Sequence, residues 1–104
     1  MEKILIPIDG SGASQRALEF VVRTWASSSA VHIHLVNVQE PPPAEIILEA
    51  GLTPADWQVE HQKAGQEIME AACKALEAAG LHFTATVCVG KPADQIATRA
   101  RELA

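Results

Sequence analysis

An apolar, β-branched run extends from Lys3 to Ile8 (Lys-Ile-Leu-Ile-Pro-Ile) and stops at Asp9-Gly10-Ser11-Gly12. A run without alternation predicts a strand buried on both faces, as in parallel sheets. Pro7 cannot donate to a ladder, which places it near the strand end. The next pattern has a helical period. Ala13, Ala17, Leu18, Val21 and Trp25 recur at three and four, Ser11 precedes them as an N-cap, and Ser27-Ser28-Ser29 breaks the series. A second strand follows over 30–38. Val31, Ile33 and Leu35 point to one face, and His32, His34, Val36 and Val38 to the other.

Glu40-Pro41-Pro42-Pro43 forces an extended exit from that strand. Residues 44–52 read equally as a short helix or a lid. Thr53-Pro54-Ala55-Asp56 is a helix start, with Thr53 as cap, proline in the first turn and Asp56 reaching back. The predicted helix runs to about Ala79, stops at Gly80, and buries Trp57, His61, Ala64, Ile68, Ala72, Ala75 and Ala79. Its alanines let it lie close to a sheet. A third strand over 81–89 places Phe83, Ala85, Val87 and Val89 on one face and the more polar His82, Thr84, Thr86 and Cys88 on the other, which suits a sheet edge. Gly90-Lys91-Pro92 turns the chain. The last helix, 92–104, aligns Ala93, Ile96, Ala97, Ala100 and Leu103. The order β-α-β-α-β-α predicts an α/β fold with a parallel sheet and right-handed crossovers.

Composition narrows the functional classes. The 104 residues suffice for one domain, 1–104, and not for two. A formal net charge of −5 repels phosphate backbones, so nucleic acid is not an expected partner. The apolar runs are too short to span a membrane, and Met1-Glu2-Lys3-Ile4 lacks the features of a signal peptide. Cys73 and Cys88 form no metal-like or redox-like pair, and we expect two reduced thiols in a cytoplasmic protein.

Ligands of open parallel sheets bind beyond the carboxyl ends of the strands. Three segments meet there: 7–11, 37–40 and 89–92. Asp9 is the foremost candidate. A carboxylate leaving a strand accepts hydrogen bonds from ribose hydroxyls or an adenine amine, and the Gly-Ser that follows opens a helix N-terminus that suits anions. The alternative, equal on spacing alone, is that Asp9 only caps that helix.

The same segments carry a family resemblance. Lys3-Ile4-Leu5-Ile6-Pro7-Ile8-Asp9-Gly10-Ser11, with Ser14 and Ala17-Leu18, resembles the opening of a universal stress protein. His34-Leu35-Val36-Asn37-Val38 resembles that family's second strand, and Val89-Gly90-Lys91-Pro92-Ala93-Asp94-Gln95-Ile96 its Gly-x-Pro turn and third helix. The match runs along essentially the whole chain in order and spacing. It implies a three-layer open parallel sheet of the adenine nucleotide alpha hydrolase type, ordered 3-2-1-4-5, and binding of ATP or AMP at its carboxyl edge. The implied site is Pro7, Ile8, Asp9, Val38 and Gly90. Asp9 contacts the nucleoside, Pro7 and Val38 shape the adenine pocket, and Gly90 lines its floor. Nothing indicates that the nucleotide is needed for folding.

Members of that family that bind ATP hold the phosphates with a Gly-x-x-Gly segment and a later Gly-Ser/Thr. No glycine follows Gly90 in these residues, and the end at Arg101-Glu102-Leu103-Ala104 has no glycine stop. We therefore expect a fold truncated after its third βα unit, with the first strand left as an edge, and self-association as a dimer through that edge or the flanking helices. The two leading readings are a nucleotide-binding stress protein and a homodimeric interaction module without nucleotide. A hydrolytic or phosphate-transferring enzyme is the weakest, because no carboxylate pair or general base is supplied.

Other candidates are weaker. His32-x-His34 with His82 would be a metal site, but histidines at a partly wet sheet margin are the commoner outcome. No histidine is placed to activate Ser11 or Ser14. Gly10-Ser11-Gly12 matches neither the dinucleotide nor the P-loop pattern. Lys91 is more often solvated than phosphate-bound, and Trp25, Trp57 and His61 read as packing residues.

Overall fold

The computed structural model describes residues 2–103; Ala104, the end of the expected last helix, lies outside the described residues, as does Met1. The elements are β1 (Glu2–Pro7), α1 (Gly12–Trp25), β2 (Val31–Gln39), α2 (Ala44–Ala50), α3 (Pro54–Ala78), β3 (His82–Val89) and α4 (Pro92–Leu103). The three strands form one parallel sheet in the order β1-β2-β3. The expected α/β alternation and parallel sheet are present, and the 44–52 segment is a short helix.

The register sorts the side chains into two faces. Ile4 pairs with Ile33, and Ile33 with Phe83; Ile6 pairs with Leu35. This face carries the core, in which Ile6, Ile8, Val31, Ile33, Leu35 and Leu81 pack with Leu18 and Val21 of α1 and Met69, Ala72 and Leu76 of α3. Helices α1 and α3 therefore lie side by side on one face. The opposite face carries Lys3 beside His32 and His82, and Leu5 beside His34 and Thr84. There α4 packs over β1 and β2 with no fully buried residue of its own. The result is three layers.

Two expectations need correction. First, β1 is not buried on both faces: Ile6 is buried, Ile4 and Leu5 are half-buried, and Lys3 and Pro7 are exposed. An edge strand covered on its second face only by the lightly docked α4 cannot be enclosed. β2, the central strand, is the one buried on both faces, at Leu35, Val36 and Asn37. Second, the sheet-facing line of α3 is Gly65, Met69, Ala72 and Leu76 rather than the alanine-rich stripe. Ile68 remains exposed, and with Ala72 it lines a cleft beside the start of α1; Ala75 lines another along α1. The stripe read from sequence merged a face toward the sheet with a face toward α1.

Caps and turns follow their residues. The Ser11 hydroxyl accepts from Ser14 N at 3.2 Å, closing the start of α1. At the start of α3, Thr53 N donates to Asp56 Oδ2 at 2.6 Å, one arm of a capping box. Gly65 lets α3 approach the sheet: a Cβ there would stand 2.6 Å from Val87 Cγ1 and 2.7 Å from Asn37 Oδ1. Along β1, Glu2 N donates to Ala30 O at 2.7 Å and Ile8 N to Val36 O at 2.8 Å. Amides alternate in direction along a strand, so the even-numbered residues of β1 face β2. Pro7 is odd-numbered, and its missing N–H falls on the open edge at no cost to the ladder.

Candidate functional site

The three carboxyl ends are tied together by a short polar network. Asn37, buried among the core residues, donates from Nδ2 to the carbonyl of Ile8 at 2.7 Å. Its Oδ1 accepts from Gln39 Nε2 at 2.7 Å. The Gly90 amide donates to Gln39 O at 3.0 Å. The exits of β1, β2 and β3 are thus joined through Ile8, Asn37, Gln39 and Gly90. The sequence-level reading placed Asn37 and Gln39 at the edge but gave them no role. The missed signal was a lone amide at a position where the apolar alternation of β2 demands a core residue.

Asp9 follows the end of β1 and is fully exposed. Its Oδ1 accepts from the Ser11 amide at 2.8 Å. The Ser11 hydroxyl, then the Ser11 amide and the Ser14 hydroxyl, hold its carboxyl below the usual aspartate range. Asp9 thus braces the turn into α1, while Ser11 supplies the helix cap. Ser11 and Ser14 are engaged in the cap, since Ser14 Oγ donates to Ser11 O at 3.0 Å, and neither is poised as a nucleophile.

The other candidates divide. Pro7 and Val38 share the face of the sheet that α4 covers, Pro7 exposed and Val38 half-buried. Ile8 lies in the core at 5% exposure, with its N–H bound to Val36 O and its carbonyl to Asn37. It positions the loop; both of its backbone polar groups are engaged, and its side chain lines the cleft beside Gly10. Gly90 sits at φ 152°, and a Cβ there would meet Gln95 Nε2 at 2.8 Å. The positive φ favours glycine, and a Cβ would have to push the Gln95 side chain aside. Lys91 is exposed beside it.

A cleft of about 220 Å³ lies between the β1–α1 turn and α3, lined by Ile8, Gly10, Ser11, Ser14 and Ile68. A wider groove of about 600 Å³ runs between α3 and β3 from Gln58 and Gln62 to Val87 and Val89, and its upper end reaches the same edge.

The histidine candidates lie elsewhere. His32 and His34 stack with ring centroids 4.5 Å apart, and His34 Nδ1 is 2.8 Å from Thr84 Oγ1. Among the described residues no three metal-binding side chains converge. His61 bridges α3 to the exit of β2: Nδ1 lies 2.8 Å from Trp57 O and Nε2 2.9 Å from Glu40 O. Trp25 packs against the core, whereas Trp57 stands outside it against His61. No helix among the described residues is long and apolar enough to cross a membrane.

Several solved structures share this architecture. The hypothetical protein MJ0577, whose structure was used to assign its biochemical function, superposes with a TM-score of 0.75 at 26% identity, over 97% of this chain and 67% of its own. A universal stress protein family member from Burkholderia pseudomallei gives a TM-score of 0.74 at 18% identity, over 98% of this chain and 74% of its own. A universal stress protein family protein from Arabidopsis thaliana, solved with AMP bound, gives 0.71 at 20% identity, over 99% and 71%. No curated protein sequence matches the chain. The model of the universal stress protein family matches residues 1–104, and the chain belongs to that family.

Proposed function

We propose that this chain is an adenine-nucleotide-binding stress-response domain whose nucleoside half-site is built from Asp9, Pro7, Val38 and Gly90. The observation that carries this reading is the state of Asp9. Its carboxylate is fixed by Ser11, held ionised, and exposed where β1 ends. A fixed acceptor of that kind suits the vicinal hydroxyls of a ribose. The network through Asn37 and Gln39 holds the neighbouring loops in place before any ligand arrives, which reduces the ordering cost of binding. The AMP held by the Arabidopsis relative supports the same ligand class. The described residues of this edge address the nucleoside through Asp9, and the exposed Lys91 is a cation beside them. The reading is one of binding rather than turnover. The cytoplasm, where Cys73 and Cys88 stay reduced, is the compartment it implies.

Calorimetric titration with AMP and with MgATP tests this. Similar affinity for both, lost in Asp9→Ala, is the expected result. Binding of neither ligand would overturn it. ATP binding far tighter than AMP would move the affinity to the phosphates and to Lys91.

A second reading is favoured by the sheet order. β1 is an edge strand whose outward amides at Lys3 and Leu5 are unpaired within the sheet. The chain would then work as a homodimeric interaction module, and nucleotide binding and dimerisation are separable by Asp9→Ala, which leaves the edge intact.

A further inference from the structure

The face of the sheet beneath α4 gathers basic groups around one carboxylate. Lys3, His32 and His82 lie side by side across the three strands, and His34 is one step further along β2. The His32 and His34 rings are stacked at 4.5 Å with planes 37° apart. His32 Nε2 is buried without a hydrogen-bond partner. From α4, Arg99, Glu102 and Leu103 close over a small cavity of about 90 Å³ that His34, Leu5 and Val36 line from below. The Arg99 Nε is likewise buried and unpartnered. Glu102, the one carboxylate on this cavity, is already paired with Arg99 at 3.2 Å. The remaining charged groups of α4, Asp94 and Arg101, are exposed, and Glu2 points to the opposite face of the sheet.

The hold on α4 is slight. None of its described residues is fully buried, and the bond from Lys3 Nζ to the Leu103 carbonyl at 3.2 Å is its one hydrogen bond to a strand among the described residues. Such a dock tolerates neutral imidazoles. Protonating both rings sets two like charges 4.5 Å apart, next to Lys3 and Arg99, with Glu102 already committed.

We propose that the His32–His34 pair is an acid-sensitive release for α4, which undocks below neutral pH and bares the Leu5–Val36 face of the sheet. Burial, then the neighbouring His32 and Lys3, depress the proton affinity of His34, as such a store of repulsion requires. The inference stands on the packing of α4 and is independent of any ligand at Asp9.

Hydrogen exchange of the 93–103 amides at pH 7.5 and pH 5.5, corrected for intrinsic exchange, tests it. Protection of α4 should fall about tenfold more than that of α1 and α3. In a His32→Gln/His34→Gln variant the α4-specific loss should vanish. An equal loss in that variant, or no α4-specific loss in the native chain, would overturn the proposal. Should the variant fail to fold, ring-nitrogen NMR of the native chain decides. Titration of the His32 and His34 rings at the same midpoint as the α4 amides supports release, and separate midpoints refute it.

Discussion

Asn37 Nδ2 donates to the backbone carbonyl of Ile8 at 2.7 Å, a side-chain tie that joins the Ile8 N–H to Val36 O bond in holding the exit of the edge strand β1 to the central strand β2. Asn37 is 2% exposed, so its amide is a buried polar group that the fold keeps satisfied from both ends. Asn37→Ala should cost roughly 1–3 kcal/mol in urea denaturation, because the Ile8 carbonyl loses its partner without gaining water. Asn37→Asp should cost at least as much, since a carboxylate presents an acceptor to an acceptor. A variant as stable as the native chain would show that the network is ornamental.

Gly65 tests how closely α3 must lie on the sheet. A Cβ at this position would stand within 2.8 Å of Val87 Cγ2 and nearer still to Val87 Cγ1 and Asn37 Oδ1. Alanine is the better helix former by up to about 1 kcal/mol, so propensity alone predicts stabilisation. The clash should win. Gly65→Ala is expected to lower stability by about 1–3 kcal/mol, as overpacking of a tight interface does. A raised Tm would mean that α3 can lift from the sheet freely.

Much of the fold was legible because it rests on local signals. The capping box at Thr53 and Asp56, the N-cap at Ser11 and the strand–helix alternation each occupy a few adjacent residues. What the pattern could not supply was the partner of each face. Ile68 and Met69 are adjacent in sequence, yet Met69 faces the sheet while Ile68 is left exposed beside the start of α1. Periodicity gives a stripe, and only the placement of α1 on the same side as α3 splits it. Asp9 and Gly90 stand out in the sequence as a carboxylate and a glycine, and both follow the carboxyl ends of strands. Asn37 does not, because its role depends on Ile8, a residue 29 positions away.

The protonation of Asp9 yields a prediction about ligand affinity. Its folded-state pKa is depressed by Ser11 and Ser14, so ionisation persists as the pH falls through the ordinary aspartate range. Affinity for adenosine, which carries no phosphate to titrate, should stay flat from pH 7 to about pH 5 and decline only below the usual aspartate value of about 3.9. Asp9→Asn keeps the size but gives up the charge, and should weaken binding roughly tenfold. Affinity that already fell between pH 7 and pH 5 would assign the contact to another group.

The open edge of β1 carries its own negative control. Amides at Lys3 and Leu5 point away from β2, and Pro7 removes the third in that row. If two copies meet through this edge, the missing N–H at Pro7 limits the length of the shared ladder. Pro7→Val restores the donor without touching the bonds to β2 and should raise self-association. Leu5→Pro removes a second outward donor and should lower it. Light scattering over a tenfold range of concentration reads both. Movement of the two variants in opposite directions places the contact on β1. A shared response would follow from altered stability rather than from the edge, and a monomeric native chain at the highest concentration would remove the homodimeric reading altogether.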